Sequence, residues 1–348
     1  MKKFLSVIMA AALAVSMAAC SSSGDTNSTT AAAGSSDASG SSDAAEGETV
    51  APTGVKMTMG TGGTSGTYYA FGGVLSQYIK NKAGIDVTVV ATDGSKADIQ
   101  GIDAGDYQLG TVQSDVMAYA WDGVKAFADD GALDTFRVVG GLYAETVQLV
   151  TLNPDIKTPE DLKGKAVSIG APGSGVYFNA MDVLGAAGLT ENDIKAQYLS
   201  FADSAEGLKD GKIDAAFLVA GAPTPAITEL ATSNQIYLVP IEGDTAKAII
   251  DECPYYTELA IPAGTYSGQD EDVNTITVKA TLIVSADADE DSVYALTKAI
   301  YENADAIATE HSKGAELSIE NATTGMTAPF HKGAAKYFEE QGVTVEAE

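Results

Sequence analysis

The chain has 348 residues, with 20 lysines and arginines against 48 aspartates and glutamates, a formal charge of −28. A surface this acidic repels polyanions, which excludes nucleic-acid binding, and an apolar fraction of 45% supports a globular core, which excludes global disorder. Beyond the N-terminus there is no run of about 18 apolar residues, so no other segment is expected to span a membrane.

Met1-Lys2-Lys3 gives a positive start, and Phe4 to Ala19 is apolar apart from Ser6 and Ser16. The run is short and wrongly flanked for a permanent anchor, so residues 1–20 are expected to be an export signal. Its end, Met17-Ala18-Ala19-Cys20, resembles the cleavage box of bacterial lipoproteins, with Met17 where Leu is usual. That resemblance implies a diacylglyceryl group on Cys20 and attachment to the outer face of the cell membrane. Residues 21–53 are rich in Ser, Ala, Gly and Thr and carry five acids and no base, which reads as a disordered tether. Residues 54–348 then hold 18 bases and 43 acids, a charge of −25. A single core stops growing at roughly 250–300 residues, so two lobes are expected. Once Cys20 is acylated, Cys253 is the one thiol left, and stability must come from packing rather than from a disulfide.

The folded part alternates short β-branched runs with amphipathic stretches, the α/β signature. Val55 to Met59 reads as a strand, followed by the loop Gly60-Thr61-Gly62-Gly63-Thr64-Ser65-Gly66-Thr67. Phe71, Val74, Leu75, Tyr78 and Ile79 fall on one helical face, and Gly84 marks the stop. Ile85 to Val90 is a strand, a short helix ends at Ala104-Gly105-Asp106, and Tyr107 to Val112 is a strand running into Gln113-Ser114-Asp115. Downstream, Thr158-Pro159-Glu160-Asp161 reads as a helix start and Ala166 to Ile169 as a strand. A second glycine loop, Gly170 to Gly175, leads into a helix that ends at Gly188. Strand Gln197–Phe201, a helix to Gly211, strand Ile213–Val219 and the loop Ala220-Gly221-Ala222-Pro223 complete this half. The two halves echo each other: Ser65-Gly66-Thr67-Tyr68 recurs as Ser174-Gly175-Val176-Tyr177, 109 residues later. Thr275 to Val284 is a long β-rich run suited to crossing back to the first lobe, and helices follow to Glu340.

Neither glycine loop is a nucleotide motif. The first has Ser65 where the dinucleotide fingerprint needs its third Gly, no Walker Lys follows either loop, and no Gly-x-Ser-x-Gly elbow is present. The two imidazoles, His311 and His331, lie far in sequence from both loops, and no His, Cys and carboxylate set has metal-ligand spacing. No catalytic constellation, cofactor or metal is therefore expected. A Gly-rich loop that opens a helix does expose backbone amides under a favourable dipole, and so suits a carboxylate. Arg137, the sole Arg, opens a strand and is assigned a structural role.

Taken together, Gly60-Thr-Gly-Gly-Thr-Ser-Gly-Thr-Tyr-Tyr69, Gln113-Ser114-Asp115, Leu142-Tyr143-Ala144-Glu145, Pro159 to Gly164 and Gly170 to Gly175 resemble the TAXI family, the extracytoplasmic solute receptors of TRAP transporters. Phe217 to Ala226 and Ile261 to Tyr266 are similar to further family segments, so that the resemblance covers about residues 55–300. It implies a bilobal α/β fold of the type II periplasmic-binding-protein kind, two lobes joined by crossing hinge strands. Residues 54–145 plus 275–348 would form lobe I and 146–274 lobe II. The implied function is capture of glutamate, glutamine or a related organic acid for a membrane TRAP permease with fused subunits. The implied first-lobe contacts are Thr61, Gly62, Gly63, Thr64, Ser65, Gly66, Tyr68, Tyr69, Gln113, Ser114 and Asp115. Those of the second lobe are Gly173, Ser174, Gly175 and Val176, with Gly221 and Pro223 in the loop Ala220–Pro223. Asp115 or Glu145 would pair an amino group, or serve as a cap or solvated surface group. The family's second loop usually has Thr after Ser-Gly, and Val176 lacks that hydroxyl. A lipid-anchored sensor or surface protein without a permease is the alternative, and an enzyme on the same fold a weaker one.

Overall fold

The computed structural model describes Ala51 and residues 53–348; the expected export signal, Cys20 and the expected tether through residue 50 lie outside the described residues. The Thr53 N–H donates to the Gly84 carbonyl at 2.9 Å.

Lobe I begins with β1 (Lys56–Gly60), α1 (Thr67–Ala83), β2 (Asp86–Val90), α2 (Ser95–Asp103), β3 (Leu109–Gln113) and α3 (Ser114–Asp122). Phe71, Leu75 and Ile79 form the buried face of α1, and Gly84 ends it by taking φ +69°, a conformation that a side chain would strain. The long β4 (Phe136–Thr151) then leaves for lobe II. There follow β5 (Ala166–Ser168), α4 (Val176–Ala186), β6 (Lys195–Gln197), α5 (Phe201–Lys209), β7 (Ala215–Ala220), α6 (Pro225–Ala231), β8 (Tyr237–Val239), α7 (Gly243–Glu252) and β9 (Thr257–Ile261). The chain returns along β10 (Val273–Ser285) and closes with α8 (Glu290–Tyr301), α9 (Ala304–Glu310), α10 (Ile319–Thr323) and α11 (Lys332–Glu340).

One ladder runs through both lobes in the order β2-β1-β3-β10-β4-β7-β5-β6, with β8 on β4 and β9 on β10. Pairing is parallel within β2-β1-β3 and within β7-β5-β6, and antiparallel wherever β4 or β10 takes part. The sequence echo is thus a structural one: β1-α1-β2-α2-β3 and β5-α4-β6-α5-β7 are equivalent units. The apolar interior divides along the two crossing strands. One core uses residues from 57 to 143 and from 280 to 338, and the other interior, on both faces of the second sheet, uses residues from 147 to 278.

Two local expectations change. The segment expected as strand Gln197–Phe201 is strand only to Gln197, because Ser200 caps α5: its Oγ accepts from the Asp203 N–H at 3.1 Å, so Phe201 opens a helix instead. The helix expected from Thr158 is a single 3-10 turn, Pro159–Leu162, which Gly164 at φ +76° ends.

Candidate functional site

Parallel strands deliver their C-terminal ends to one place, and the loops there face each other across the lobe boundary. They enclose a cavity of about 80 Å³. From lobe I it is lined by Thr61, Gly62, Gly63, Gly66, Thr67 and Tyr68, by Thr92-Asp93-Gly94-Ser95, and by Gln113 and Glu145. Lobe II supplies Ala171, Ser174, Gly175, Val176, Leu199, Ser200, Phe201, Val219 and Ala220.

The lobes touch around this cavity. Gly173 carbonyl accepts from the N–H groups of Lys96 and Ala97 at 3.1 and 3.2 Å, Ser65 carbonyl accepts from Ala226 N–H at 3.1 Å, and Thr67 Oγ1 donates to Gly221 carbonyl at 2.7 Å. Behind them lies a buried polar chain. Gln113 Nε2 donates to Asn179 Oδ1 at 2.6 Å, and Asn179 Nδ2 donates to Asp115 Oδ2 at 2.9 Å and to the Tyr256 hydroxyl at 2.6 Å. Tyr256 in turn donates to Asp182, which pairs with Lys125 at 3.4 Å. Burial pushes Asp115 up to about 6 even though Asn179 favours its charged form.

The cleft glycines are what allow this approach. Gly94 sits at φ +116° with its α-carbon against Ser174, where a β-carbon would lie 3.3 Å from Ser174 Cα. A β-carbon on Gly175 would lie 2.6 Å from Val116 Cγ2.

Two helices, one per lobe, point uncapped first turns at the cavity: α1 behind Gly66 and α4 behind Gly175 have no side-chain cap. Their leading amides have no intrahelical partner, and the dipoles add positive potential. The first-turn amides of α2 are instead taken by the Gly173 carbonyl. Among the described residues no Lys, Arg or His lines the cavity. Two carboxylates do, Asp93 and Glu145, and Glu145 is 1% exposed, approached by the Tyr143 hydroxyl and the Gly221 N–H. The Tyr68 hydroxyl is likewise buried, beside Ser95. Beneath the first loop Asp98 is fully buried beside the Thr92 hydroxyl, and burial pushes it up to about 8 against that donor.

Ten of the expected ligand residues therefore line the cavity: Thr61, Gly62, Gly63, Gly66, Tyr68, Gln113, Glu145, Ser174, Gly175 and Val176. The hydroxyls of Thr61 and Ser174 are spent on the carbonyls of Val90 and Ala171, so neither is a free donor. Thr64, Ser65, Tyr69, Ser114, Asp115, Gly173, Gly221 and Pro223 lie outside the lining. Ser65, Gly173 and Gly221 hold the lobes together instead, Ser114 Oγ accepts from Lys279 N–H, and Asp115 is locked to Asn179. Neither Asp115 nor Glu145 is a solvated surface group. Thr92–Ser95 and Leu199–Phe201 were not anticipated. They are the equivalent β2–α2 and β6–α5 loops of the two units, and the second carries Ser200-x-x-Asp203, a legible cap signal.

The remaining reactive side chains serve the scaffold. Arg137 clamps the carbonyls of Asp134 and Phe136 at 2.7 Å and Glu348 at 3.2 Å. His311 and His331 accept from the N–H groups of Lys313 and Gly333 as helix caps. Cys253 is buried, and desolvation pushes its thiol up. Among the described residues no His, Cys, Asp and Glu cluster could hold a metal, and no helix is long and apolar enough to cross a membrane.

The chain is similar in fold to a protein of Bordetella bronchiseptica RB50, at 19% identity and a TM-score of 0.51 over 82% of this chain and 89% of that one. It also matches the alkanesulfonate-binding protein SsuA of Xanthomonas axonopodis pv. citri bound to MOPS, at 17% identity and a TM-score of 0.47 over 84% and 92%. A putative L-cystine ABC transporter protein of Listeria monocytogenes matches at 18% identity and a TM-score of 0.48 over 76% and 98%. The model of the NMT1-like family matches residues 59–342, and the chain belongs to that family.

Proposed function

We propose that the protein is an extracytoplasmic receptor that closes two lobes around a small carboxylate-bearing solute and presents it to a membrane permease. The observation that carries this reading is the pair of uncapped helix starts, α1 and α4, facing one enclosed cavity from opposite lobes. Residues 54–145 with 275–348 and residues 146–274 act as the two moving lobes, hinged on β4 and β10. The TAXI resemblance points to a TRAP permease as the partner and to glutamate, glutamine or a related organic acid as the solute. Cys20 acylation holds the receptor at the membrane. Phe201, Leu199, Val176 and Val219 give the cavity an apolar side that accommodates the solute's carbon chain.

The test is thermal unfolding and calorimetry across amino acids and dicarboxylates. A solute that binds only the folded state raises the melting temperature in step with RT ln(1 + [L]/Kd), and it is recovered chemically unchanged after hours with the pure protein. Absence of stabilisation by every small carboxylate, or turnover of the bound one, overturns the receptor reading.

A further inference from the structure

We propose that the solute is a monocarboxylate with an apolar chain, carrying neither an amine nor a second acid group. The proposal rests on the receptor reading above and narrows its solute to acids whose carboxylate is the one charged group.

The polar side chains of the lining are committed to the protein itself. Thr61 and Ser174 donate to the carbonyls of Val90 and Ala171, and Thr67 donates across the lobe boundary to the Gly221 carbonyl. Ser200 donates to the Asp203 carboxylate at 2.7 Å. Thr92 accepts from the N–H groups of Gly62 and Gly94, and its hydroxyl serves Asp98. Ser95 accepts from the Gln113 N–H and lies beside the Tyr68 hydroxyl, while the Gln113 side-chain amide donates to Asn179 and Asp115. Among the described residues, the donors left for a solute are backbone amides, chiefly those leading α1 and α4, and the buried Tyr68 hydroxyl. They meet at one cavity and suit one carboxylate.

The acids of the lining do not answer an ammonium ion. Burial pushes Glu145 up to about 8, against the Lys313 charge, the Tyr143 hydroxyl and the Gly221 N–H that act on it. At pH 7 it is therefore neutral in roughly nine molecules of ten. Asp93 is exposed to solvent, where an ion pair contributes little. A second carboxylate fares no better, because among the described residues no Lys, Arg or His of the lining could meet it.

What the cavity offers beside its amides is hydrocarbon. Val176, Leu199, Phe201 and Val219 line it from lobe II. The Phe201 ring packs over the start of α1, where a β-carbon on Gly66 would lie 3.5 Å from it. A chain leaving those amides meets this apolar wall at once.

Calorimetry at pH 7 tests this with propanoate, butanoate, pentanoate and 4-methylpentanoate, set against glutarate, L-leucine and L-glutamate. Affinity rises about fourfold per methylene along the straight-chain series. 4-Methylpentanoate binds about 30-fold or more tighter than L-leucine, which adds an amine to it, and pentanoate exceeds glutarate, which adds a carboxylate, by as much. Leu199→Ala flattens the series to less than about twofold per methylene. A melting curve without solute checks that this variant folds, and if it does not, the series on the unaltered protein decides. Glutarate, L-leucine or L-glutamate binding as tightly as the matched monocarboxylates, or a series without gain, overturns the inference and leaves the receptor reading standing. If no acid in the wider panel binds, both fail.

Discussion

Replacing Gly175 by alanine separates the closed state from the open one. In the closed arrangement the new methyl would sit 2.6 Å from Val116 Cγ2 and closer still to Gln113 Oε1, both of them across the lobe boundary. Overpacking of this kind costs about 1–3 kcal/mol. With the lobes apart those neighbours are gone, and the local backbone, at φ −75° and ψ −18°, suits alanine without strain. The open form then gains about 0.4–1 kcal/mol from the reduced freedom of the unfolded chain. The penalty thus falls on closure alone, and solute affinity drops about 5- to 150-fold. Calorimetry gives the affinity, a melting curve without solute gives the stability, and small-angle scattering with saturating solute gives the compaction. Lower affinity with an unchanged or higher melting temperature is the expected pattern. Unchanged affinity together with normal compaction would refute the reasoning, because the methyl would then have been accommodated in the closed cleft.

Asp98 provides a pH prediction. Its native value is raised by burial to about 8, so the folded state keeps a proton that the unfolded chain has released. Its contribution is harmless below about pH 4 and erodes stability progressively as pH rises to about 8. Asp98→Asn should therefore melt higher than the unaltered protein at pH 8 and match it at pH 4; an equal difference at both pH values rejects the assignment. Cys20→Ser should release the protein from membranes while solute binding persists, and its retention in the membrane fraction would exclude the lipid anchor.

The α/β alternation and the two glycine loops were legible because glycine and β-branched residues act over a few positions. The fate of each site residue was not, because it depends on contacts between the lobes. Gly173 looks in sequence like a ligand contact, yet its carbonyl serves α2 of the other lobe and a β-carbon there would meet Asp93 at 2.8 Å. Asp115 looks like a counter-charge, but with α3 starting at Ser114 its side chain meets Asn179, 64 residues away. Thr92 and Asp93 carry no local signal, since a strand end beside a glycine is common to many loops. Phe201 has β-propensity, but the Ser200 cap beside it decides for helix.

The position of β10 between β3 and β4 sets an order on folding. Those two strands share no ladder with each other, so the sheet of the lobe encoded first stays in two pieces until residues 273–285 are available. The other lobe draws its interior from residues 147–278, almost one unbroken stretch, and can condense earlier. Joining Gln113 to Ala280 closes a loop of more than 160 residues, a non-local step that is slow compared with helix and hairpin formation. Meanwhile β3, with five residues destined for complete burial, exposes an apolar edge that can pair with another chain. The acidic surface, at −25 over residues 54–348, then works as a kinetic safeguard, keeping such half-built molecules apart until the returning strand seals the gap.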